Sequence, residues 1–460
     1  MSIVNSKIFI IRWKDIEKWV IPRTSLVTKL PPSWSSPILR DLAKPVTHRE
    51  RVESDKEYKM VGVRWYGEGL FHRETVHGSN LSSKWVTPVV PNAFIYNRLF
   101  AWKESFAVVP NEYNGYHVSS EFPQFTVDES IILPKYLYLI FTRRKVIDTV
   151  KRLSVGSSAV SRNRFKEQDF LSLYIPVPPL STQQEIVDFW EDAQRKAAEL
   201  RQTADWDEKE IGQIVMQELG LKECSPYVQR GAFIVNYDDV ERWDTYFFRK
   251  EFRDILAQLQ HIGAIPLGKC AHFVSRKWTP MDFPKGFFNY IQISDVNKTD
   301  GIVGCSKVEV KRAPSRAAQV IRKGDLLIST TRPYLAAFAG VTQEFDGSVA
   351  SSAFANIETT SEGLDKDFLL LFLKSYAGLK QFEQRMTGGL YPAIVKTELE
   401  KLLIPIPPFG KQRSIVEKVG TLQGSIKSMK RIADDTIAVA KVKLEAVISG
   451  ETDIQDVTNG

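Results

Sequence analysis

The chain has 460 residues, of which 43% are hydrophobic and 25% are charged, and it carries a formal net charge of +7 at pH 7. This length exceeds what one hydrophobic core supports and suits two domains, while the composition is ordinary for a globular protein. No apolar run is long enough to cross a bilayer and no signal peptide is recognisable, so we expect a cytoplasmic protein rather than a membrane protein.

The first half of the chain has the pattern of a small mixed domain. Its segments 58–66, 92–99 and 105–109 are rich in β-branched or aromatic residues and are bounded by Gly, Pro or Asn, which predicts strands. A helix is predicted at 135–152, followed by a loop of small residues at 156–158. The first half therefore has the strands and the late helix of an α+β domain.

A motif of Ile and Pro closes this domain and recurs later in the chain. It reads IPVPPLSTQQEIV from Ile175 and IPIPPFGKQRSIV from Ile404. Proline fits a position just before a helix, and Ser181 with Gln184 fits a capping box that satisfies the first free N–H groups. Each copy is therefore predicted to end a globular domain and to begin a long helix.

Both predicted helices carry an apolar residue at alternating spacings of four and three. The first seam consists of Ile186, Trp190, Ala193, Ala197, Leu200, Ala204, Ile211 and Ile214. The second seam consists of Ile415, Val419, Leu422, Ile426, Met429, Ala433, Ala440 and Val447. Such heptads indicate coiled-coil packing, and the domain between the helices must return the chain, which predicts an antiparallel pair. The alternative is that each seam packs only on its own domain.

The second half of the chain repeats the order of the first. Strands are predicted at 289–294, 325–331 and 336–341, then a helix at 367–386 and a loop at Gly388-Gly389. The sequence thus predicts an α+β fold with two similar globular domains separated by two long helices. The predicted segments are a first domain at 1–180, a central helix at 181–220, a second domain at 221–409, a C-terminal helix at 410–450 and a frayed polar tail at 451–460.

Motifs for catalysis are not found in the sequence. It has no GxxxxGK[ST] loop for nucleotide phosphates and no Asn/Asp-Pro-Pro-aromatic tetrapeptide of an amino-methyltransferase. His72 and His77 lack cysteine or acidic ligands at metal spacing, and the three cysteines are scattered and odd in number. With its positive charge and short clusters of basic residues, the chain is expected to bind nucleic acid.

With its two IPxPPxxxQxxIV motifs, seam helices and repeated domains, the chain resembles the specificity subunit of type I restriction–modification systems over nearly its whole length. The family's motif tends to have an acidic residue before the Gln, where this sequence has Thr182 and Lys411. The resemblance implies that each domain is a target recognition domain, which reads one half of a split, asymmetric sequence in double-stranded DNA. It also implies that the helices fix the gap between the half-sites.

The resemblance further implies partner proteins. Two methyltransferase subunits are expected to dock on the helices, and restriction subunits are expected to join the same complex. No cofactor is expected on this chain, because S-adenosylmethionine and ATP would be bound by the partner subunits. The chain itself is expected not to be an enzyme.

Polar side chains in loops between strands are the candidate DNA contacts. They are Arg64, Arg73, Asn97, Lys103, Ser157, Arg162 and Arg164 in the first domain, and Arg276, Lys277, Gln292, Arg332, Tyr334, Tyr391 and Lys396 in the second. The residues expected to form the helix pair and the partner interface are Gln183, Ile186, Trp190, Leu200, Gln412, Ile415, Val419, Leu422, Ile426 and Met429. No catalytic or metal-binding residue is expected.

Two other functions remain open at this point. The chain could be part of a single-chain restriction–modification enzyme, which also carries paired recognition domains. Binding of S-adenosylmethionine to the purified chain would indicate that enzyme. The chain could also be an adaptor with two lobes on a helical spine that does not bind nucleic acid, in which case genomic fragments would give no salt-sensitive gel shift.

Overall fold

The structure, a computed structural model, describes residues 26, 30–154, 164–224 and 240–458. The candidate contacts Ser157 and Arg162 lie outside these ranges. The chain divides into two compact units, one formed by residues 1–198 with 433–460 and the other by residues 199–432.

The first unit contains two sheets. Its strands are β1 (Ala43–Pro45), β2 (Glu50–Arg51), β3 (Glu57–Val63), β4 (Leu70–His77), β5 (Trp85–Pro88), β6 (Phe94–Tyr96), β7 (Phe106–Val108), β8 (His117–Val118) and β9 (Gln124–Val127). One sheet has the order β1-β9-β6-β7 and is antiparallel. The other has the order β2-β5-β8-β3-β4, in which β3 and β8 run parallel.

In the first half of the chain one short helix precedes the strands and the other helices follow them. The helices are α1 (Leu39–Leu42), α2 (Pro134–Phe141), α3 (Arg144–Leu153), α4 (Glu167–Leu171) and the start of α5 (Leu180–Glu218). The single helix predicted at 135–152 is in fact two helices. The Thr142 hydroxyl donates to the Leu139 carbonyl at 2.8 Å and Arg143 is extended, and such a side-chain bond competes with continuation of the helix.

The second unit repeats this arrangement. Its strands are β10 (Ile265–Pro266), β11 (Ala271–Val274), β12 (Phe287–Ile291), β13 (Val296–Asn297), β14 (Gly301–Ile302), β15 (Ser306–Glu309), β16 (Ala317–Val320), β17 (Leu326–Ser329), β18 (Phe338–Gly340), β19 (Val349–Ser351), β20 (Phe354–Thr360) and β21 (Leu403–Ile404). The order β11-β20-β17-β18 matches β1-β9-β6-β7 strand for strand. The order β16-β19-β12-β15 matches β5-β8-β3-β4, including a parallel pair, β12 with β19, while β2 has no counterpart in this sheet. Because the strand order is the same, equivalent loops can be compared between the two domains.

The helices of the second half are α6 (Lys250–His261), α7 (Leu267–Cys270), α8 (Lys366–Lys374), α9 (Tyr376–Arg385), α10 (Lys396–Leu399), α11 (Phe409–Ile448) and α12 (Ile454–Thr458). Here too the predicted helix, at 367–386, is broken into two. Gly378 lies so close to the end of α8 that an added Cβ would be 2.4 Å from the Phe372 carbonyl oxygen, so only glycine permits this sharp turn.

The two long helices pack against each other, as the heptads predicted. In the first unit, four residues near the start of α5 share a buried cluster with four near the end of α11: Ile186, Val187, Trp190 and Ala193 with Ala440, Leu444, Val447 and Ile448. In the second unit, the end of α5 and the start of α11 share another: Val215, Met216 and Leu219 with Ile415 and Val419. The direction is antiparallel in both units. Ion pairs join Glu218 to Lys418 at 2.8 Å and Glu208 to Lys430 at 2.7 Å.

The seam is not uniformly buried. Ile186, Trp190, Ile415, Val419 and Ile426 are buried, as expected for a packed seam. Three other predicted members are only half-buried, namely Leu200, Leu422 and Met429. The same clusters include residues of the globular domains, so each helix packs on its own domain as well as on the other helix.

The glutamine of the repeated motif was predicted to face the helix pair or a partner, and this prediction is corrected by the structure. Gln183 is fully buried, and its amide oxygen accepts from the Leu133 N–H at 2.8 Å while its nitrogen donates to the carbonyls of Ile131 at 2.8 Å and Pro178 at 2.9 Å. Each bond ties the start of α5 to the loop before α2 or to the motif itself.

Gln412 makes the same three bonds in the second domain. Its oxygen accepts from the Asp365 N–H at 2.8 Å, and its nitrogen donates to the carbonyls of Gly363 at 2.6 Å and Pro407 at 2.7 Å. Because buried polar backbone groups need partners, one glutamine in each copy fixes the direction in which the long helix leaves its domain.

The C-terminal segment was predicted to be a frayed polar tail, and this is also corrected. Ile454–Thr458 forms a helix, and both Ile454 and Val457 are buried in the core of the first unit. The Gln455 side-chain nitrogen also donates to the Glu185 carboxylate at 3.0 Å. Two apolar residues three apart are enough to hold one helical turn in place when a core is available.

Candidate nucleic-acid interface

Three of the candidate contacts in the first domain lie around one open depression. Arg64, Arg73 and Asn97 line a cavity of about 560 Å³ together with Trp65 and Phe71. An added Cβ at Gly62, in β3, would lie 2.7 Å from the Phe71 ring, so glycine lets this ring lie against the strand. The depression thus combines aromatic faces with cations and an amide.

One cation that lines the depression, Arg64, and one beside it, Lys103, lie on aromatic rings. The Arg64 guanidinium is 4.9 Å from the centroid of the Phe71 ring, and the Lys103 ammonium is 3.6 Å from that of Trp65. Phe100 is a further neighbour, with its ring centroid 5.1 Å from that of Trp65. A cation held on an aromatic face keeps its charge and its hydrogen-bond donors available for an anionic ligand.

The remaining described candidates of the first domain have protein partners. Arg164 donates to the Glu121 carboxylate at 3.0 and 3.2 Å, and this bond raises the pKa of the guanidinium. Arg73 has a neighbouring carboxylate, Glu74, at 3.2 Å, but both side chains are exposed. The Asn97 oxygen accepts from the Leu99 N–H at 3.0 Å, so only its amide nitrogen is left to act as a donor.

In the second domain the structure brings Arg332 and Tyr391 together. The guanidinium of Arg332 lies 4.5 Å from the centroid of the Tyr391 ring, and its backbone N–H donates to the Pro392 carbonyl at 2.7 Å. Its buried Nε has no hydrogen-bond partner in the part of the chain that the structure describes. Arg332 itself has a positive φ of 48°, an uncommon conformation for a residue other than glycine. Tyr334 follows on the same turn and is exposed.

Arg276 is a candidate DNA contact whose guanidinium is bound to two carboxylates of its own domain. It donates to the Asp325 carboxylate at 2.6 Å and to Glu358 at 2.6 Å, and the bond to Asp325 raises the pKa of the guanidinium. Asn356 donates to the same Asp325 carboxylate at 2.8 Å. An arginine whose charge is already matched twice inside its own domain is not free to contact a ligand.

The other three candidates of the second domain are exposed. Lys277 is at the surface beside β16, and Gln292 caps the turn after β12 through a bond from its N–H to Asp295 at 3.0 Å. Lys396 lies 5.5 Å from the centroid of the Phe273 ring, with Glu400 at 3.6 Å. The structure does not bring these three into a cluster with Arg332.

Sequence reasoning missed the aromatic residues of the first depression. Trp65 and Tyr66 are 40% and 62% exposed, which is unusual for large apolar side chains placed beside cations. The signal was available, because Arg64-Trp65-Tyr66 follows a predicted strand directly. No group of acidic, histidine or cysteine side chains among the described residues could hold a metal ion. None of the helices in the same ranges is long and apolar enough to cross a membrane.

Comparisons with known proteins agree with this architecture. A family model described as type I restriction modification DNA specificity domain matches twice, at residues 45–204 and 276–435. The specificity subunit of the type I restriction enzyme HindI from Haemophilus influenzae is 28% identical over 163 residues, which are 35% of each chain. The match thus spans about a third of the length of that curated relative.

Two solved structures are similar over most of the chain. One comes from a study of the structural basis of complex assembly and conformational transition of the type I R-M system. Its TM-score is 0.54 at 18% identity, and the aligned residues cover 92% of this chain and 100% of the other. The HsdS subunit from Thermoanaerobacter tengcongensis has a TM-score of 0.45 at 18% identity, with coverages of 92% and 99%. The first of these similarities shows a shared fold.

Proposed function

Because the chain belongs to the type I restriction modification DNA specificity family, we propose that it is the subunit that selects the DNA sequence for a type I restriction–modification complex. Each domain reads one half of a bipartite, asymmetric target. The observation that carries this proposal is the repeat, since the two domains share the order of eight strands in two sheets and each presents cations on aromatic rings at its surface.

Affinity for DNA comes largely from arginine and lysine contacts to phosphates, and sequence choice comes from contacts to base edges. The test is a gel shift with fragments that contain the target, titrated against salt. We expect binding to weaken steeply between 50 and 200 mM salt, as contacts to several phosphates require. Binding that does not respond to salt, or no binding, would contradict the proposal.

In this proposal the partner subunits, and not this chain, carry out methylation and DNA cleavage. Two methyltransferase subunits bind S-adenosylmethionine, and restriction subunits use ATP, while this chain positions the duplex. A methyltransferase must take its target base out of the stack, so a second protein that holds the DNA in register is useful to it. The purified chain alone is expected to bind no S-adenosylmethionine in equilibrium dialysis, and saturable binding would favour an enzyme instead.

The packed faces of the long helices are not available to a methyltransferase. Ile186, Trp190, Ile415 and Val419 are buried, so they hold the helix pair together and to its domains. The helices also have exposed apolar residues, Val439 at 53% and Val442 at 71%. We therefore place partner docking on the exposed faces.

The helix pair is proposed to act as the spacer between the half-sites. The test variant has seven residues inserted in α5 between Leu200 and Ile211, and seven more inserted in α11 near Lys430. The two sites are at matching heights, because Lys430 pairs with Glu208 of α5. Seven residues keep the heptad and lengthen each helix by about 10 Å. We expect the gap between half-sites to grow by about three base pairs, at 3.4 Å each. Methylome sequencing of a host with the complete system measures the gap. The same seven residues inserted after Gly450 serve as the control, and an unaltered gap in the doubly lengthened variant would contradict the spacer role.

Replacing Arg332 with Ala tests the second domain. If the guanidinium contacts a guanine edge with two hydrogen bonds, binding to the cognate site should weaken by about 1–3 kcal/mol. Arg312→Ala is the matched control, because that arginine is exposed in the same domain and is paired with a single carboxylate among the described residues, Glu309 at 3.6 Å. Equal binding and unchanged methylation specificity in the two variants would remove Arg332 from the interface.

A further inference from the structure

One loop contains the same turn in both domains, with different side chains on it, although the residue before the turn is left-handed only in the second domain, at Arg332. The β6–β7 loop (residues 97–105) contains a 3-10 turn at Ala101–Lys103 followed by Glu104 with φ 59°. The β17–β18 loop (residues 330–337) contains a 3-10 turn at Pro333–Leu335 followed by Ala336 with φ 54°. These loops join equivalent strands of the two domains.

The hydrogen bonds of the two loops match as well. The Lys103 N–H donates to the Phe100 carbonyl at 2.8 Å, and the Leu335 N–H donates to Arg332 at 3.0 Å. After the left-handed residue, Phe106 bonds back to Glu104 at 2.9 Å, as Phe338 does to Ala336 at 2.7 Å. The turn therefore ends on Lys103 in one domain and on Leu335 in the other.

A left-handed residue other than glycine is costly and persists only where its surroundings hold it. In the first domain, Tyr66 and Gly67 donate to the carbonyls of Lys103 and Glu104 at 2.8 and 3.0 Å. In the second, the N–H of Arg332 is bound to Pro392. The loop shape is thus fixed in both domains, and its side chains vary without altering it.

The two equivalent side chains differ in chemistry. Lys103 presents an ammonium group, and no carboxylate among the described residues pairs with it. Leu335 is 53% exposed, which places an aliphatic side chain in solvent beside the Arg332 turn. In the major groove, lysine is suited to the N7 and O6 acceptors of guanine, and an apolar side chain is suited to the methyl group of thymine.

We propose that this loop is the base-reading element of each domain, with Lys103 selecting a guanine in one half-site and Leu335 selecting a thymine in the other. The proposal rests on the proposed function as a DNA specificity subunit. Lys103 is one of the candidate contacts predicted from the sequence. The proposal adds Leu335, the equivalence of the two loops and the base that each domain prefers at one position.

The test is methylome sequencing of hosts that express the complete system with single substitutions. Lys103→Met keeps an unbranched side chain of similar length and removes its charge. We expect discrimination at one G·C position of the first half-site to fall by about 5-fold to 150-fold. Leu335→Ala should relax one T·A position of the second half-site, and Leu335→Lys should shift that position toward G·C. Each variant keeps the wild-type requirement in the other half-site, which shows that it is folded and assembled.

Met281→Ala is the control, because Met281 is 91% exposed in the second domain and lies outside the loop. Active Lys103 or Leu335 variants that still require the full wild-type target would overturn the proposed readers. The same conclusion would follow if one substitution relaxed the sequence requirement in both half-sites, or if the Met281→Ala control relaxed it. A wild-type system that methylates no bipartite sequence would instead refute the proposed function itself.

Discussion

Replacing Ile415 with Asp is expected to lower the stability of the protein by about 4 kcal/mol or more, because the substitution loses a buried apolar side chain and buries a carboxylate without a partner. Ile415 is 1% exposed and packs in the cluster formed by the end of α5, the start of α11 and the second domain. Urea unfolding followed by circular dichroism measures the loss. The equivalent change in the first unit, Ile186→Asp, should have a similar effect, since that residue is fully buried.

Val439→Asp is the matched control for this experiment. Val439 lies on the same helix, α11, but is 53% exposed, so its carboxylate would remain in water. We expect this variant to unfold within about 0.5 kcal/mol of the wild type, as surface substitutions usually do. If Ile415→Asp and Val439→Asp unfolded alike, the packing of the two helices would not contribute to stability as described.

Replacing Gln412 with Leu is expected to cost about 3 kcal/mol or more. The substitution keeps the size of the side chain but leaves the Asp365 N–H and the carbonyls of Gly363 and Pro407 without the partner they now have. A buried group left unpaired costs about 1–3 kcal/mol, and here three bonds made by a fully buried side chain to partly buried backbone groups are lost together. Gln183→Leu should behave in the same way in the first domain, because its three bonds are equivalent.

Gln184→Leu separates this effect from a general loss of glutamine. Gln184 is the next residue on α5 and is exposed, and its side-chain nitrogen donates to the exposed Asp188 at 2.7 Å, so its replacement should change stability little. Thermal melting of the three variants beside the wild type makes the comparison. Melting of Gln412→Leu and Gln183→Leu at the wild-type temperature would show that the motif glutamine does not fix the start of the helix.

Some features could be predicted because their signals are local. The heptads of α5 and α11 identify both helices and their packing, since a sustained apolar stripe must be covered. The second copy of the IPxPP motif shows that the chain contains a repeat before any contact is known. The breaks at Thr142 and Gly378 were not predicted, because the contacts made there, to the carbonyls of Leu139 and Phe372, leave the apolar periodicity on both sides unchanged.

The sequence by itself thus determined that two α+β domains are joined to two long antiparallel helices, because periodicity and repetition are properties of the chain. Only the tertiary structure decided which polar side chains are used inside the domains and which remain at the surface. Arg276 and Gln183 have the residue types of surface contacts, yet the first is paired with Asp325 and Glu358 and the second with Leu133 and Ile131. These partners are about 50 or more residues away in the chain, so the hydrogen bonds that remove both side chains from the surface exist only after folding.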